Sequence, residues 1–230
     1  MKNLICTPIA VIHNDFKEKF GLPRQSGLSV HLLSEIIMEP PYRNPDAFRG
    51  IEDFERLWLL WEFSEAKKAD GWSPTVRPPR LGGNQRMGVF ATRSPFRPNA
   101  IGLTCVKLEK FEITEKYGPV LTVSGADLMD GTPILDIKPY LPYADSYPDA
   151  AAGFTAQIPK PTLQIVWRAA VPPDMTPAQR LALEEALADD PRPAYQNDPV
   201  RVYGMAYGSW NVKFVIDGAV ATVCEISEMK

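Results

Sequence analysis

Residues 103–137 read LTCVKLEKFEITEKYGPVLTVSGADLMDGTPILDI and contain three short apolar runs, Leu103–Phe111, Val120–Ala126 and Ile134–Ile137. Their alternation and β-branched content are those of strands. Working outward, the same pattern recurs at Leu4–Ile12, His31–Met38, Leu57–Phe63, Met87–Ala91, Leu163–Trp167, Val212–Ile216 and Ala219–Ile226. Asp217-Gly218, between the last two, signals a tight hairpin, because both residues tolerate positive φ. One helix is well signed. Thr176-Pro177-Ala178-Gln179 supplies an N-cap hydroxyl, Pro at the first helical position and Gln at N3. Leu183, Ala186 and Leu187 follow at helical spacing, and Asp190-Pro191 ends the run. The chain has 23 prolines, which argues against long uninterrupted helices. The expected class is mainly β (α+β). A small β-barrel core covers Met1–Arg168, and a C-terminal appendage of one helix and a β-hairpin covers Ala169–Lys230, with Pro172-Pro173 as the linker.

Bulk properties set limits on function. At 230 residues, 45% hydrophobic and 23% charged, the composition is that of a globular protein. The net charge of −3 does not advertise a nucleic-acid partner, but a binding footprint is local. No run approaches the roughly 20 apolar residues of a membrane helix. The opening MKNLICTPIAVIHNDFKEKF reads as a strand followed by charge rather than as a signal peptide. Cys6, Cys105 and Cys224 are odd in number and far apart, so neither a disulfide framework nor a zinc site is expected. Each sits in an apolar segment and is expected to be a buried thiol in a reducing, cytoplasmic setting. Two histidines, His13 and His31, are too few for a His-rich metal site, and no metal is expected.

Three segments carry chemistry. Gly71–Leu108, 38 residues, contains Arg77, Arg80, Arg86, Arg93, Arg97 and Lys107 but no Asp or Glu, where about five would be expected by chance. It is dense in Gly and Pro, as in VRPPRLGGNQRMGVFATRSPFRPN, and reads as a long structured loop. Arginines on such a loop suit phosphate or carboxylate recognition, although a solvated basic face would look the same. The second segment, ADLMDGTP from Ala126, is a turn signal preceded by Asp127 at a strand end. A carboxylate there can accept from a ribose diol or cap a turn. The third is FGLPRQ, Phe20–Gln25. No GxGxxG follows a strand and no GxxxxGK[ST] is present, so neither a dinucleotide fingerprint nor a P-loop is available.

In wording and order, KEKFGLPRQ, RPPRLGGNQRMGVFATRSPFRPNAIGL and DLMDGTPILDIKPYLPYADS resemble the TrmO family of tRNA methyltransferases, also called TsaA-like or YaeB-like. DPRPAY and YGMAYGSWNVKF extend the likeness through the tail. The resemblance implies a barrel that binds S-adenosylmethionine without a Rossmann sheet, a homodimer, and a tRNA substrate. The target would be N6 of N6-threonylcarbamoyladenosine, just 3′ of the anticodon. It implies cofactor contacts at Pro23, Arg24, Gln25, Ser64, Glu65, Arg93, Leu103, Asp127, Leu128, Met129 and Asp130. Ser64-Glu65 departs from the Asp-Gln or His-Gln pair usual in the family. Candidates for a base near N6 are Asp127, Asp130, Asp190 and Tyr195, among which the sequence does not choose. Candidate RNA contacts are Arg80, Arg86, Arg97, Arg192 and Tyr195, with Arg97 or Arg192 also suited to the threonyl carboxylate. Two other readings stand beside this one. The first is a non-catalytic RNA-binding barrel, which donor binding would exclude. The second is a methyltransferase of the same fold acting on a different substrate. The basic and aromatic residues of the tail, Arg201, Tyr203, Tyr207 and Trp210 among them, argue against it because they suit an unstacked base, although at least half of these aromatics are expected to pack the tail onto the barrel instead.

Overall fold

The computed structural model describes residues 5–65, 72–78, 85–157, 162–192 and 196–229. Along the chain run β1 (Ala10–His13), β2 (Leu33–Met38), β3 (Arg56–Glu62), β4 (Thr75–Val76), β5 (Met87–Gly88), β6 (Ile101–Thr114), β7 (Gly118–Ser124) and β8 (Thr132–Pro139). They are followed by α1 (Pro142–Asp145), β9 (Gln164–Trp167), α2 (Pro177–Ala188), β10 (Tyr203–Tyr207), β11 (Trp210–Asp217) and β12 (Val220–Glu228).

Six antiparallel strands close a barrel in the order β1-β2-β7-β6-β3-β8. Alternate residues point inward, so Ile12, Ile36, Leu57, Leu59, Val106, Leu121, Val123 and Ile134 form one buried core. Closure removes the unpaired edges that an open sheet would leave. Register on β6 has a tight demand at Gly102, which faces Trp61 across β3. A Cβ there would lie 2.2 Å from the indole, so only glycine lets the ring lie flat on the strand.

The second unit is a four-stranded sheet, β10-β11-β12-β9, covered by α2. Asp217-Gly218 makes the expected turn between β11 and β12, with Gly218 at φ 54°. The capping box forms as the sequence implied. Thr176 Oγ1 accepts from Gln179 N at 3.2 Å, and the Gln179 side chain accepts from Thr176 N at 3.0 Å. Ala182, Leu183, Ala186 and Leu187 bury one face of α2 against the sheet. The expected division after Arg168 is corrected here. Gln164–Trp167 pairs in parallel with Val220–Val223, so this strand belongs to the C-terminal sheet, which is more than a hairpin. Other departures are local. β1 starts at Ala10, after Pro8, which has no N–H to donate, and Leu4 lies outside the described residues. Of Met87–Ala91 only Met87–Gly88 pairs, and Val89–Ala91 turns into a 3₁₀ coil. Cys6 and Cys224 are exposed and Cys105 is half-buried, against the burial expected. Cys224 falls where β12 skips register, between Val223 opposite Phe214 and Glu225 opposite Lys213.

The segment 14–32 ties the two units together. Phe16 is buried edge-on to Tyr207, with ring centroids 5.1 Å apart. Glu185 of α2 accepts from Ser29 Oγ at 2.9 Å and His31 N at 3.1 Å, and its other oxygen lies 2.7 Å from His31 Nδ1. Glu18 accepts from Ala206 N at 2.7 Å. The stretch that carries Pro23, Arg24 and Gln25 is thus held from behind by the C-terminal unit.

Candidate active site

At the mouth of the barrel lies a half-open cleft of about 920 Å³. Its walls come from segment 19–25, the end of β3, the Thr92–Asn99 loop, the start of β6 and the turn 127–132. All eleven residues to which the resemblance assigned cofactor contacts line it: Pro23, Arg24, Gln25, Ser64, Glu65, Arg93, Leu103, Asp127, Leu128, Met129 and Asp130. Arg97 joins them. The volume falls in the range of small-molecule sites, and the lining mixes apolar side chains such as Leu103, Leu128 and Met129 with charged and polar ones.

The carboxylates differ in state. Asp127 follows the end of β7 and is largely buried, which pushes its carboxyl above the usual range. Hydrogen bonds from Thr104 and the Ser26 backbone, and the nearby Arg93 charge, only partly offset this. Thr104 Oγ1 lies 2.6 Å from Asp127 Oδ1, and Trp61 Nε1 lies 2.9 Å from Thr104 Oγ1. An indole N–H can only donate, so the Thr104 hydroxyl accepts from Trp61 and donates to Asp127. Nothing in the sequence reading picked out Trp61 or Thr104, since both look like ordinary inward strand residues.

Asp130 is held differently. Burial alone would raise its carboxyl, but Lys17 Nζ at 2.8 Å, Asn14 N at 3.2 Å and His13 Nδ1 at 3.1 Å together hold it below the usual range. Asp190 is not on the cleft lining. Burial would raise it too, yet Arg192 donates from Nε at 2.9 Å and Nη2 at 2.8 Å and keeps it low. Of the three base candidates among the described residues, only Asp127 combines a place in the cleft with a raised pKa. Tyr195 lies outside the described residues.

The arginines also separate. Arg93 Nη1 donates to Gln25 Oε1 at 2.8 Å, and Arg97 Nη1 donates to the Thr92 carbonyl at 3.1 Å. Arg24 Nη2 donates to the carbonyls of Asp190 and Arg192, at 2.9 and 2.8 Å. The segment after α2 is thereby fastened to the cleft wall. The Arg192 side chain is only 9% exposed and clamped on Asp190, so its place is inside this knot rather than on an open phosphate-facing surface. Arg86 is exposed but not on the cleft lining, and Arg80 lies outside the described residues. Tyr203, Tyr207 and Trp210 of the tail are core residues.

Fold and cleft together define a class: a small closed barrel with a ligand-sized cleft at its mouth and an accessory α/β unit braced against it. Comparison with known proteins gives the family. Residues 11–146 match the tRNA-methyltransferase O N-terminal domain, and residues 160–229 match the TrmO C-terminal domain. An Escherichia coli protein named tRNA (adenine(37)-N6)-methyltransferase is 43% identical over 219 residues, 92% of each chain. A Pseudomonas aeruginosa protein, whose name proposes S-adenosylmethionine-dependent methylation, is 44% identical over 207 residues, covering 86% of this chain and 87% of its own. The crystal structure of TrmO from Pseudomonas aeruginosa superposes with a TM-score of 0.75 at 32% identity, covering 98% of this chain and 100% of that one. The chain belongs to the TrmO family of methyltransferases.

Proposed function

We propose that the protein transfers a methyl group from S-adenosylmethionine to N6 of N6-threonylcarbamoyladenosine at position 37 of tRNA, and that it does so in the cytoplasm as a homodimer. Relatives named for adenine-37 N6 methylation support the target atom. The observation that carries the site is the raised carboxyl of the buried Asp127 on the wall of a cleft that Arg93 and Arg97 also line. Val30 and Leu33, exposed apolar residues at the entry to β2 and outside the cleft lining, support association of two copies.

The cleft suits the donor chemically. Arg93 would meet its carboxylate, Leu103, Leu128 and Met129 would pack on its adenosine, and ionised Asp130 would accept from ribose hydroxyls. Ser64 and Glu65 would line the same end with Pro23 and Gln25. The donor supplies a methyl group already activated on a sulfonium, so the protein's work is positioning and proton removal. The threonylcarbamoyl carbonyl makes the N6 nitrogen a weak nucleophile and its N–H more acidic, so a base matters. Asp127 would take that proton as the methyl passes from the sulfonium sulfur to N6, the S–CH3 bond breaking and S-adenosylhomocysteine leaving as a neutral thioether. Burial makes its carboxylate a stronger base than a solvated one, and the Trp61–Thr104 chain fixes its orientation. Arg97 would pair with the threonyl carboxylate. Arg86, Arg80 and the segment around Tyr195 would meet the RNA backbone and the modified base. The C-terminal unit would serve recognition through its grip on Arg24.

Calorimetry with S-adenosylmethionine tests the site without turnover. Binding unaffected by chelator, and retained in Asp127→Asn while methylation falls about 10²–10⁴-fold, is the expected pattern. Loss of donor binding in Asp127→Asn with a normal fold would make Asp127 a cofactor ligand instead.

A further inference from the structure

A short ribbon stands beside the cleft. β4 and β5 pair Thr75 with Gly88 and Val76 with Met87, which brings together two rings 18 positions apart, Trp72 and Phe90. Their centroids are 6.0 Å apart, with planes tilted by 33°. Trp72 is 49% exposed and Phe90 70% exposed. Phe90 sits on a 3₁₀ turn whose neighbour Val89 is buried and whose end, Thr92, already belongs to the cleft lining. A single exposed aromatic is ordinary. Two adjacent rings turned to water on a ladder built to hold them need a reason.

Charge says what that reason is. Arg77 and Arg86 are exposed on the same ribbon, Arg93 follows, and no acid occurs anywhere from Gly71 to Leu108. Elsewhere, exposed Tyr143 and Tyr147 lie within two residues of Asp145 and Asp149, an unfavourable setting for a polyanion. The tail aromatics Tyr203, Tyr207 and Trp210 are consumed by the core and cannot stack on anything external. A second copy of the chain is a poor occupant for the ribbon. A two-fold interface centred there would set arginines against arginines with no acid from this segment between them. Stacking rings among cations are how single-stranded nucleic acid is held.

We propose that Trp72 and Phe90 form a stacking platform for an unpaired nucleotide of the substrate RNA, next to the one being methylated. This rests on the reading that the substrate is a tRNA loop. The platform reads no hydrogen-bond pattern, so it contributes affinity and loop opening rather than base identity.

The test uses the full-length protein and filter binding of tRNA at two salt concentrations. Trp72→Ala and Phe90→Ala should each weaken binding by about 5- to 150-fold, the range for loss of one base–aromatic stack. The salt slope should not change, because no phosphate contact is removed. Trp72→Phe and Phe90→Tyr should restore most of the affinity. Donor affinity by calorimetry and oligomeric state by sedimentation velocity should match wild type in every variant. Intrinsic fluorescence should be quenched by tRNA in wild type and markedly less in Trp72→Phe. Alanine variants that bind tRNA like wild type would overturn the platform while leaving the substrate intact. Variants that change oligomeric state would show that a second copy covers the rings, which also overturns it. If wild type itself binds no tRNA, the underlying reading of the substrate fails, and the platform with it.

Discussion

Replacing Thr104 by Val tests the proton-handling part of the mechanism. The shape is preserved, but the hydroxyl that bridges Trp61 Nε1 and Asp127 Oδ1 is lost. Two consequences follow. The buried indole N–H is left without its acceptor, at a cost to stability of about 1–3 kcal/mol. Asp127 loses a hydrogen bond that favours its ionised form, and such a bond to a charged group contributes about 1.5–3 kcal/mol. The Asp127 carboxyl should therefore be pushed still higher than burial already holds it. The sign is fixed. A base must be deprotonated, so activity falls as pH drops through its pKa, and a higher pKa moves that fall to higher pH. Single-turnover methylation from acidic to alkaline pH should therefore show the acid limb of Thr104→Val displaced to higher pH than in wild type, with rates recovering on the alkaline side. Thr104→Ser keeps the hydroxyl and should leave the limb in place. A loss of rate equal at every pH, with the limb unmoved, would refute the reasoning and reduce Thr104 to a packing residue.

Two other outcomes are expected. Asp190→Ala removes the partner of a guanidinium that stays buried, so thermal or denaturant unfolding should show a loss of about 3–5 kcal/mol at neutral pH. Burial works against the Asp190 carboxylate, but the Arg192 hydrogen bonds win and its folded-state pKa is lowered, so the difference from wild type should shrink as pH falls through that lowered value. Changing Cys6, Cys105 and Cys224 together to Ser should leave donor affinity and most turnover intact, since methylation of an exocyclic nitrogen needs no thiol adduct. A folded triple variant with normal donor binding and no turnover would contradict this.

Local chemistry was legible in the sequence and distant pairing was not. The Asp217-Gly218 turn and the Thr176 capping box depend on neighbours within four residues, and both formed as read. The barrel strands followed from alternation, since one face of each must meet the core. The sheet to which β9 belongs is not legible in the sequence, because a parallel partner is reached through a long excursion and leaves no turn to announce it. β4 is two residues, too short for any period to register, and of the strand read at Met87–Ala91 only Met87–Gly88 pairs with it. In the site, every cofactor position taken from the resemblance came to one cleft, whereas the states of the carboxylates could not be read from a string. Asp127, Asp130 and Asp190 are alike in sequence. Burial beside Thr104, a lysine at 2.8 Å and an arginine clamp are what make them differ. Cys224 shows the same limit: an apolar context implied burial, and a register skip turned the thiol outward.

The central claim is a transfer to one atom of one modified base. The most direct test incubates the protein with S-adenosylmethionine and either tRNA carrying N6-threonylcarbamoyladenosine at position 37 or the same tRNA unmodified. The nucleosides are then digested and resolved by mass spectrometry. The account predicts a single methyl added to N6 of the threonylcarbamoylated adenosine and none on the unmodified transcript. Equal methylation of both transcripts, or a methyl found on any other atom, would contradict it.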